Sequence, residues 1–416
     1  MVPGAEPLRL PLIEPSDAGP IRPVIPAGSM SAMSAPDRAA AAGSTRRPSE
    51  RQWPRSLGSQ HSMPEPDSGG YRMTALISAL VVLLLVIAMA FVPVPFVSWA
   101  PGRTVDVLAQ TDQGRPIIQV SGLTTRSSRA DLRMTTVSVT TVDGRLSLFE
   151  ALASYWLPNR DVLQREAIYP SGQSPDEVRA AEVQSMDTSQ RDAVVAALRA
   201  AGQPVTEMPM IEAVTVGGPA YNTLVPGDLV QSVDGTDVQS VADVQRAIRK
   251  HRAGDAVAMV VLRNGATKNV QVVTSASRTD PKIPMVGVSL ATGYRYSPTV
   301  TFGVPPSITG PSAGLVLSLG VYETIASTDL LGDLNVAGTG EISPDGTVGA
   351  IGGIHQKVAG AQRDGARIFL VPAANCQDLS GVSTRMTLVK VSTLKDAISA
   401  LQKLRQGTDA KEIPHC

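Results

Sequence analysis

Hydrophobic and polar positions change rhythm along this chain, and each rhythm predicts a different element. From Met73 to Gly102 no side chain is charged, and Met73 to Val92 is an unbroken run of 20 apolar or small residues. At ~1.5 Å per residue such a run matches the ~30 Å of a bilayer core and predicts a transmembrane helix over 73–92. Arg72 stands at its start, Pro93 and Pro95 stop it, and Phe96 and Trp99 beyond its end fit interfacial aromatics. Ala88-Met89-Ala90 resembles a signal-peptide cleavage site, but the 72 residues before the run are far longer than a signal peptide's charged leader, which favours an uncleaved anchor.

Residues 1–70 are dense in Pro, Ser, Ala, Gly and Arg without apolar periodicity, which predicts a disordered, cytoplasmic tail. Arg55 and Arg72 on the N-terminal side of the run, against Arg103 on the other, favour a cytoplasmic N-terminus and an extracytoplasmic remainder. Residues 103–205 alternate strand and helix signals. Met134 to Val142 is β-branched and ends at Asp143-Gly144; Ser174-Pro175-Asp176-Glu177 is a helix start; a further helical stretch runs from Ser189 to Ala201 and ends at Gly202. In 206–275, Gly217-Gly218-Pro219-Ala220 leads to Pro226-Gly227-Asp228-Leu229-Val230. Val241, Val244 and Ile248 line one helix side, and Asn264-Gly265 joins two β-branched runs as a type I′ hairpin. This order resembles a PDZ domain, whose sheet edge binds peptides by strand addition. The resemblance places a carboxylate-binding loop near Glu207-Met208-Pro209-Met210, although Pro209 has no N–H to donate.

The chemistry lies in the last 130 residues. Gly310-Pro311-Ser312-Ala313-Gly314 precedes an apolar helix over Leu315 to Ile325, so Ser312 sits at a helix N-terminus beside amides able to hold an oxyanion. A serine nucleophile needs a base. The four histidines are His61, His251, His355 and His415, and of eight lysines none precedes Lys250. Lys357 opens a second helix after Gly352-Gly353-Ile354-His355-Gln356, with Thr339-Gly340-Glu341-Ile342 upstream. Burial brings a lysine from ~10.4 towards ~7 to 8, where it works as a base.

Together these motifs resemble the proteolytic domain of Lon-type Ser-Lys peptidases over 284–402. Gly310 to Gly314 is similar to the nucleophile motif, Thr339-Gly340-Glu341 to the central strand motif, and Ile351-Gly352-Gly353 with Lys357, 45 residues after Ser312, to the base motif; Val371-Pro372 and Asn375 fall at a strand end. The resemblance implies Ser312 as nucleophile, Lys357 as general base and Thr339 orienting the amine, with Gly310, Pro311 and Ala313 in support and His355 a bystander. The resemblance extends to membrane-anchored, PDZ-containing Lon-like peptidases of bacteria, in which the segment before the PDZ module belongs with the peptidase. The expected fold is thus an α/β (α+β) peptidase domain over 280–404, completed by residues 103–205, with a PDZ-like domain over 206–275 inserted or preceding and one N-terminal transmembrane helix.

Composition narrows the function. Lys plus Arg and Asp plus Glu both total 37, so the net charge is zero and the positive field of a nucleic-acid binder is missing. No G-x-x-x-x-G-K-[ST] motif occurs, so the expected peptidase is ATP-independent; no histidine pair has ligand spacing and Cys376 and Cys416 are 40 residues apart, so no cofactor or metal is expected. The two cysteines are either a disulfide or free thiols. A trypsin-fold protease would need a Gly-Asp-Ser-Gly-type loop, which is lacking, and a signal peptidase a nucleophile close after the span. The expected partners are exported or unfolded protein or peptide substrates, lying as a strand along Val300-Thr301-Phe302, and a homo-oligomeric ring. The alternative is an inert PDZ scaffold.

Overall fold

The computed structural model of the protein describes residues 68–111 and 113–416. The expected disordered tail falls almost wholly outside them. Helix α1, Ser68–Phe91, contains the apolar run and stops before Pro93; its side chains from Arg72 on contact little else, and Arg72–Phe91 is long and apolar enough to cross a membrane.

Strand β1, Phe96–Asp106, begins almost at once. Phe96 and Trp99, expected beyond the end of the apolar run, both fall in this strand and are partly exposed. Val97 beside Phe96 is fully buried, and the strand pairs on both sides. The sheet also starts seven residues before the boundary expected at 103. It contains β3 (Asp131–Val139), β4 (Asp161–Gln164), β11 (Asn335–Gly338), β12 (Ile368–Pro372) and β13 (Thr387–Val391), in the order β13-β12-β11-β3-β1-β4. β3, β11, β12 and β13 run parallel, while β1 is antiparallel to β3 and β4. Strands from both sides of the chain's middle thus share one set of backbone hydrogen bonds.

Both faces of this sheet are covered, as a parallel sheet requires. Along β12 the alternation divides the core: Ile368 and Leu370 join a cluster with α3 (Pro175–Ala200), α5 (Gly314–Ile325) and α7 (Leu394–Arg405), while Phe369 and Val371 pack with Ile354 and Val358 of α6 (Ile354–Arg363). The two helical stretches expected at 174 and at 189–201 are one helix of 26 residues, capped by a reciprocal Ser174–Glu177 box and ending at Gly202 in the left-handed conformation. Nothing between them breaks it, and Ala193 to Leu198 are buried against the core. A nine-residue helix, α2 (Leu148–Trp156), precedes β4. Two further strands, β2 (Ile118–Ser121) and β10 (Thr299–Phe302), form an antiparallel pair.

Between α3 and β10 the chain makes a second, antiparallel sheet with its own core of Ile211, Val230, Val244, Val257 and Met259. Its strands β5 (Thr206–Val214), β6 (Leu229–Val233), β7 (Ala256–Arg263), β8 (Ala266–Val273) and β9 (Val288–Arg295) take the order β8-β7-β6-β5-β9, with α4 (Val241–Ile248) alongside. The hairpin at Asn264-Gly265 has both residues at positive φ, as a type I′ turn demands. The expected carboxylate-binding loop at Glu207 to Met210 is not a loop. These residues are the middle of β5, paired with β9 through Met210↔Ala291 to Glu207↔Tyr294. Proline is tolerated there because β5 meets β6 only at Met210↔Leu229, so the Pro209 nitrogen, which faces that side like the Ile211 amide, has no strand opposite it. β9, outside the expected span 206–275, is the edge strand.

Candidate active site

Three backbone features place Ser312. Gly310 adopts a left-handed conformation (φ 86°) that turns the chain towards the start of α5. Ser189 Oγ, midway along α3, donates to the Pro311 carbonyl at 2.8 Å, and the Gly310 amide donates to the Glu182 carbonyl at 3.3 Å. On the other side the loop is joined to the end of β11: the Gly340 amide donates to the Ser312 carbonyl at 2.9 Å and the Leu315 amide to the Gly340 carbonyl at 3.0 Å. Gly314 must be glycine, since a Cβ there would lie 2.6 Å from Ile342 Cγ2 and 2.8 Å from Ser189 Oγ. The amides of Gly314 and Leu315 are occupied, by the Pro311 and Gly340 carbonyls, whereas among the described residues those of Ser312 and Ala313 have no acceptor.

Lys357 comes from the opposite face of the sheet. Gly353, at φ 69°, caps α6, and the Trp99 ring lies against both Gly352 and Gly353, where an added Cβ would approach it to 2.8 and 3.1 Å. Asn375 clamps the same segment, donating to the Ile351 carbonyl at 3.0 Å and accepting from the Ile351 amide at 2.9 Å. One turn into α6, Lys357 is 3% exposed, and its Nζ donates to Thr339 Oγ1 at 3.1 Å. Thr339 is fully buried, and its hydroxyl donates in turn to the Ser312 carbonyl at 3.1 Å. The amine therefore stands within two hydrogen-bond lengths of the backbone of Ser312. Burial lowers the Lys357 pKa to about 7, and the nearby Glu341 carboxylate holds it from falling further.

With its pKa at about 7, Lys357 is in part neutral near pH 7. The one proton of Thr339 is committed to the Ser312 carbonyl, so the hydroxyl offers the lysine a lone pair and accepts one of its N–H bonds. A cavity of about 460 Å³ opens beside the nucleophile loop between α3 and the short strand Glu341–Ile342, with Thr188, Asp192, Pro311 and Glu341 in its wall. Burial raises the Asp192 pKa.

Of the residues expected to act, Lys357 is joined through Thr339 to the backbone carbonyl of Ser312, with Gly310, Pro311 and Ala313 in the same loop. His355 points elsewhere: it is exposed and its Nε2 contacts the Asp378 carbonyl. Ser189 and the packing role of Trp99 were not visible in the sequence. Both act on segments more than 100 residues away, and neither has a local signature.

This geometry agrees with the comparisons. Residues 301–403 match the profile of the Lon protease (S16) C-terminal proteolytic domain, and residues 186–274 that of a PDZ domain. The C-terminal part of the chain is a Lon-type proteolytic domain. It is similar to Lon protease 1 of Sorangium cellulosum (36% identical over 112 residues) and to the Lon protease of Chloroflexus aurantiacus (40% over 94 residues). These alignments cover 26% and 22% of this chain but 14% and 11% of the relatives, so the chain spans only a small part of their length. A solved PDZ domain of an SdrC-like protein from Listeria monocytogenes aligns at 21% identity over 20% of this chain and 87% of that one; its TM-score of 0.19 is too low to carry an argument.

Proposed function

We propose that this Lon-type domain is a working serine endopeptidase, acting without nucleotide hydrolysis from a membrane anchor on exported or unfolded proteins. The observation that carries the reading is the buried Lys357 amine, with a pKa of about 7, joined to the Ser312 segment through one threonine hydroxyl. Neutral Lys357 accepts the Ser312 proton, the hydroxyl oxygen attacks a peptide carbonyl, and the free amides of Ser312 and Ala313 receive the oxyanion. The lysine then protonates the leaving amine, and water releases the acyl group by the same route in reverse. An extended substrate would run along β10, whose edge away from β2 carries no strand among the described residues, with a side chain in the cavity beside Pro311.

The catalytic unit in this proposal joins residues 96–205 to the Lon-type domain, since β1, β3 and β4 share its sheet and α3 holds its nucleophile loop. The PDZ domain would add a peptide to its edge strand β9, flanked by α4. An extracytoplasmic setting fits the disulfide between Cys376 and Cys416, which persists in oxidising compartments.

The full chain, purified in detergent, should cleave a denatured protein without ATP and take a serine-reactive probe at Ser312. Lys357→Ala should lose both. Probe labelling of Ser312 undiminished in Lys357→Ala would refute the dyad, and absence of labelling in the folded parent would leave the scaffold reading.

A further inference from the structure

Helix α2 leaves large apolar side chains uncovered. Its sequence, LFEALASYW, has one charge, Glu150, and that carboxylate is tied into a capping box with Ser147. Ala151 and Ser154 face the sheet, which accounts for one side. The other side is bare: Phe149 is 55% exposed, Tyr155 74%, Trp156 76%, and Leu157 at its end 47%. Phe149 and Trp156 are seven residues apart and lie on one helix face. An exposed cluster of large apolar side chains marks a contact surface.

Its position points to the occupant. The short strands Pro93–Val94 and Leu146–Ser147 pair, and the Leu148 amide donates to the Val92 carbonyl at 2.9 Å. The first residue of α2 is therefore hydrogen-bonded to the residue that follows α1. If α1 spans a bilayer, α2, about 13 Å long at ~1.5 Å per residue, has no way to leave the neighbourhood of that membrane surface. Just past α2, Arg160 lines a groove of about 740 Å³ together with Arg385 and with Arg363, the last paired with Asp364, while its acidic neighbour Asp161 is held by Gln356. Aromatic side chains at headgroup depth flanked by arginines are what an anionic leaflet accommodates.

We infer that α2 is an interfacial helix: Phe149, Tyr155, Trp156 and Leu157 insert into the leaflet at which α1 ends, and Arg160 and Arg385 meet anionic headgroups. The peptidase sheet is thereby held against the membrane at two points rather than swinging on one tether. The inference rests on the reading of α1 as a span, and the two can fail separately.

The full chain is reconstituted in phosphatidylcholine vesicles with or without phosphatidylglycerol. Alkaline carbonate extraction reports on the span, and the difference in fluorescence between the parent and Trp156→Phe isolates Trp156 from Trp53 and Trp99. The expected result is retention after carbonate, with the Trp156 signal quenched by lipids brominated near the headgroup and shielded from acrylamide. Phosphatidylglycerol should deepen the quenching, and Arg160→Glu/Arg385→Glu should abolish that increment. A chain that resists carbonate while its Trp156 is quenched by acrylamide and untouched by bromolipid overturns the inference and leaves the span intact. Trp156 shielded from acrylamide but also untouched by bromolipid overturns it in favour of a second copy of the chain. Release of the chain by carbonate overturns the span and the inference together.

Discussion

At the residue scale the site is built on one displaced proton equilibrium. Lys357 is buried strongly enough to be half-neutral near pH 7, and the same burial works against folding, because the unfolded chain holds that proton up to about pH 10.5. The group's folded pKa is lowered, so activity that needs the neutral amine rises with pH through about 7. Glu341 opposes the shift, and its removal lets the pKa fall further. In Glu341→Gln the acidic limb of the kcat/KM profile should therefore move to lower pH, which a pH–rate series checks; an unmoved limb would mean that another group sets it. Thr339 makes a separate prediction. Its hydroxyl bridges amine and nucleophile segment, so Thr339→Val should lower kcat by about 10²-fold, the low end of what a positioned acid–base group contributes. Thr339→Ser, which keeps the hydroxyl, should recover most of it.

At the element scale the two residues of the proposed dyad approach from opposite faces of one sheet. α5 brings Ser312 from the side shared with α3, and α6 brings Lys357 from the other, meeting at the end of β11 where Thr339 follows Gly338. Close packing between α3 and the nucleophile loop makes this junction sensitive. Gly314→Ala would push a methyl group into Ile342 and Ser189, and activity should fall by at least tenfold through displacement of the loop. Ser189→Ala removes only the bond to the Pro311 carbonyl; it should lower kcat while leaving KM and the thermal midpoint nearly unchanged, as steady-state kinetics beside a melting curve would reveal. The elements themselves were largely legible in the sequence. The capping box at Ser174, the hairpin at Asn264-Gly265 and the stop before Pro93 are local signals, and each sits where local chemistry puts it. The segment Glu207 to Met210 was read as a loop because β9, the strand that pairs with it, lies some 80 residues on.

At the scale of the whole molecule the chain closes on itself. β3 from the first part pairs with β11 from the last, and the second sheet is threaded between them. The disulfide joins Cys376, beyond β12, to Cys416, whose amide reaches the Leu388 carbonyl in β13. A loop of 40 residues closed in this way is worth roughly 4 kcal/mol in the chain-entropy model. Cys376→Ser/Cys416→Ser should lower the unfolding free energy by about 2–4 kcal/mol in a denaturant titration, with the active-site chemistry retained. Sequence alone determined the membrane-length apolar run, the punctuation of helices and turns, and the candidacy of Ser312, Thr339 and Lys357, because periodicity, capping and motif spacing act over a few residues. Only the tertiary structure decided that Trp99 packs under the lysine helix, that Ser189 holds the nucleophile loop, that the cysteines pair and that the amine is dry. Each of those depends on a contact between segments far apart in the chain, and burial, the cause of the lysine's lowered pKa, belongs to the packed fold and to no residue in it.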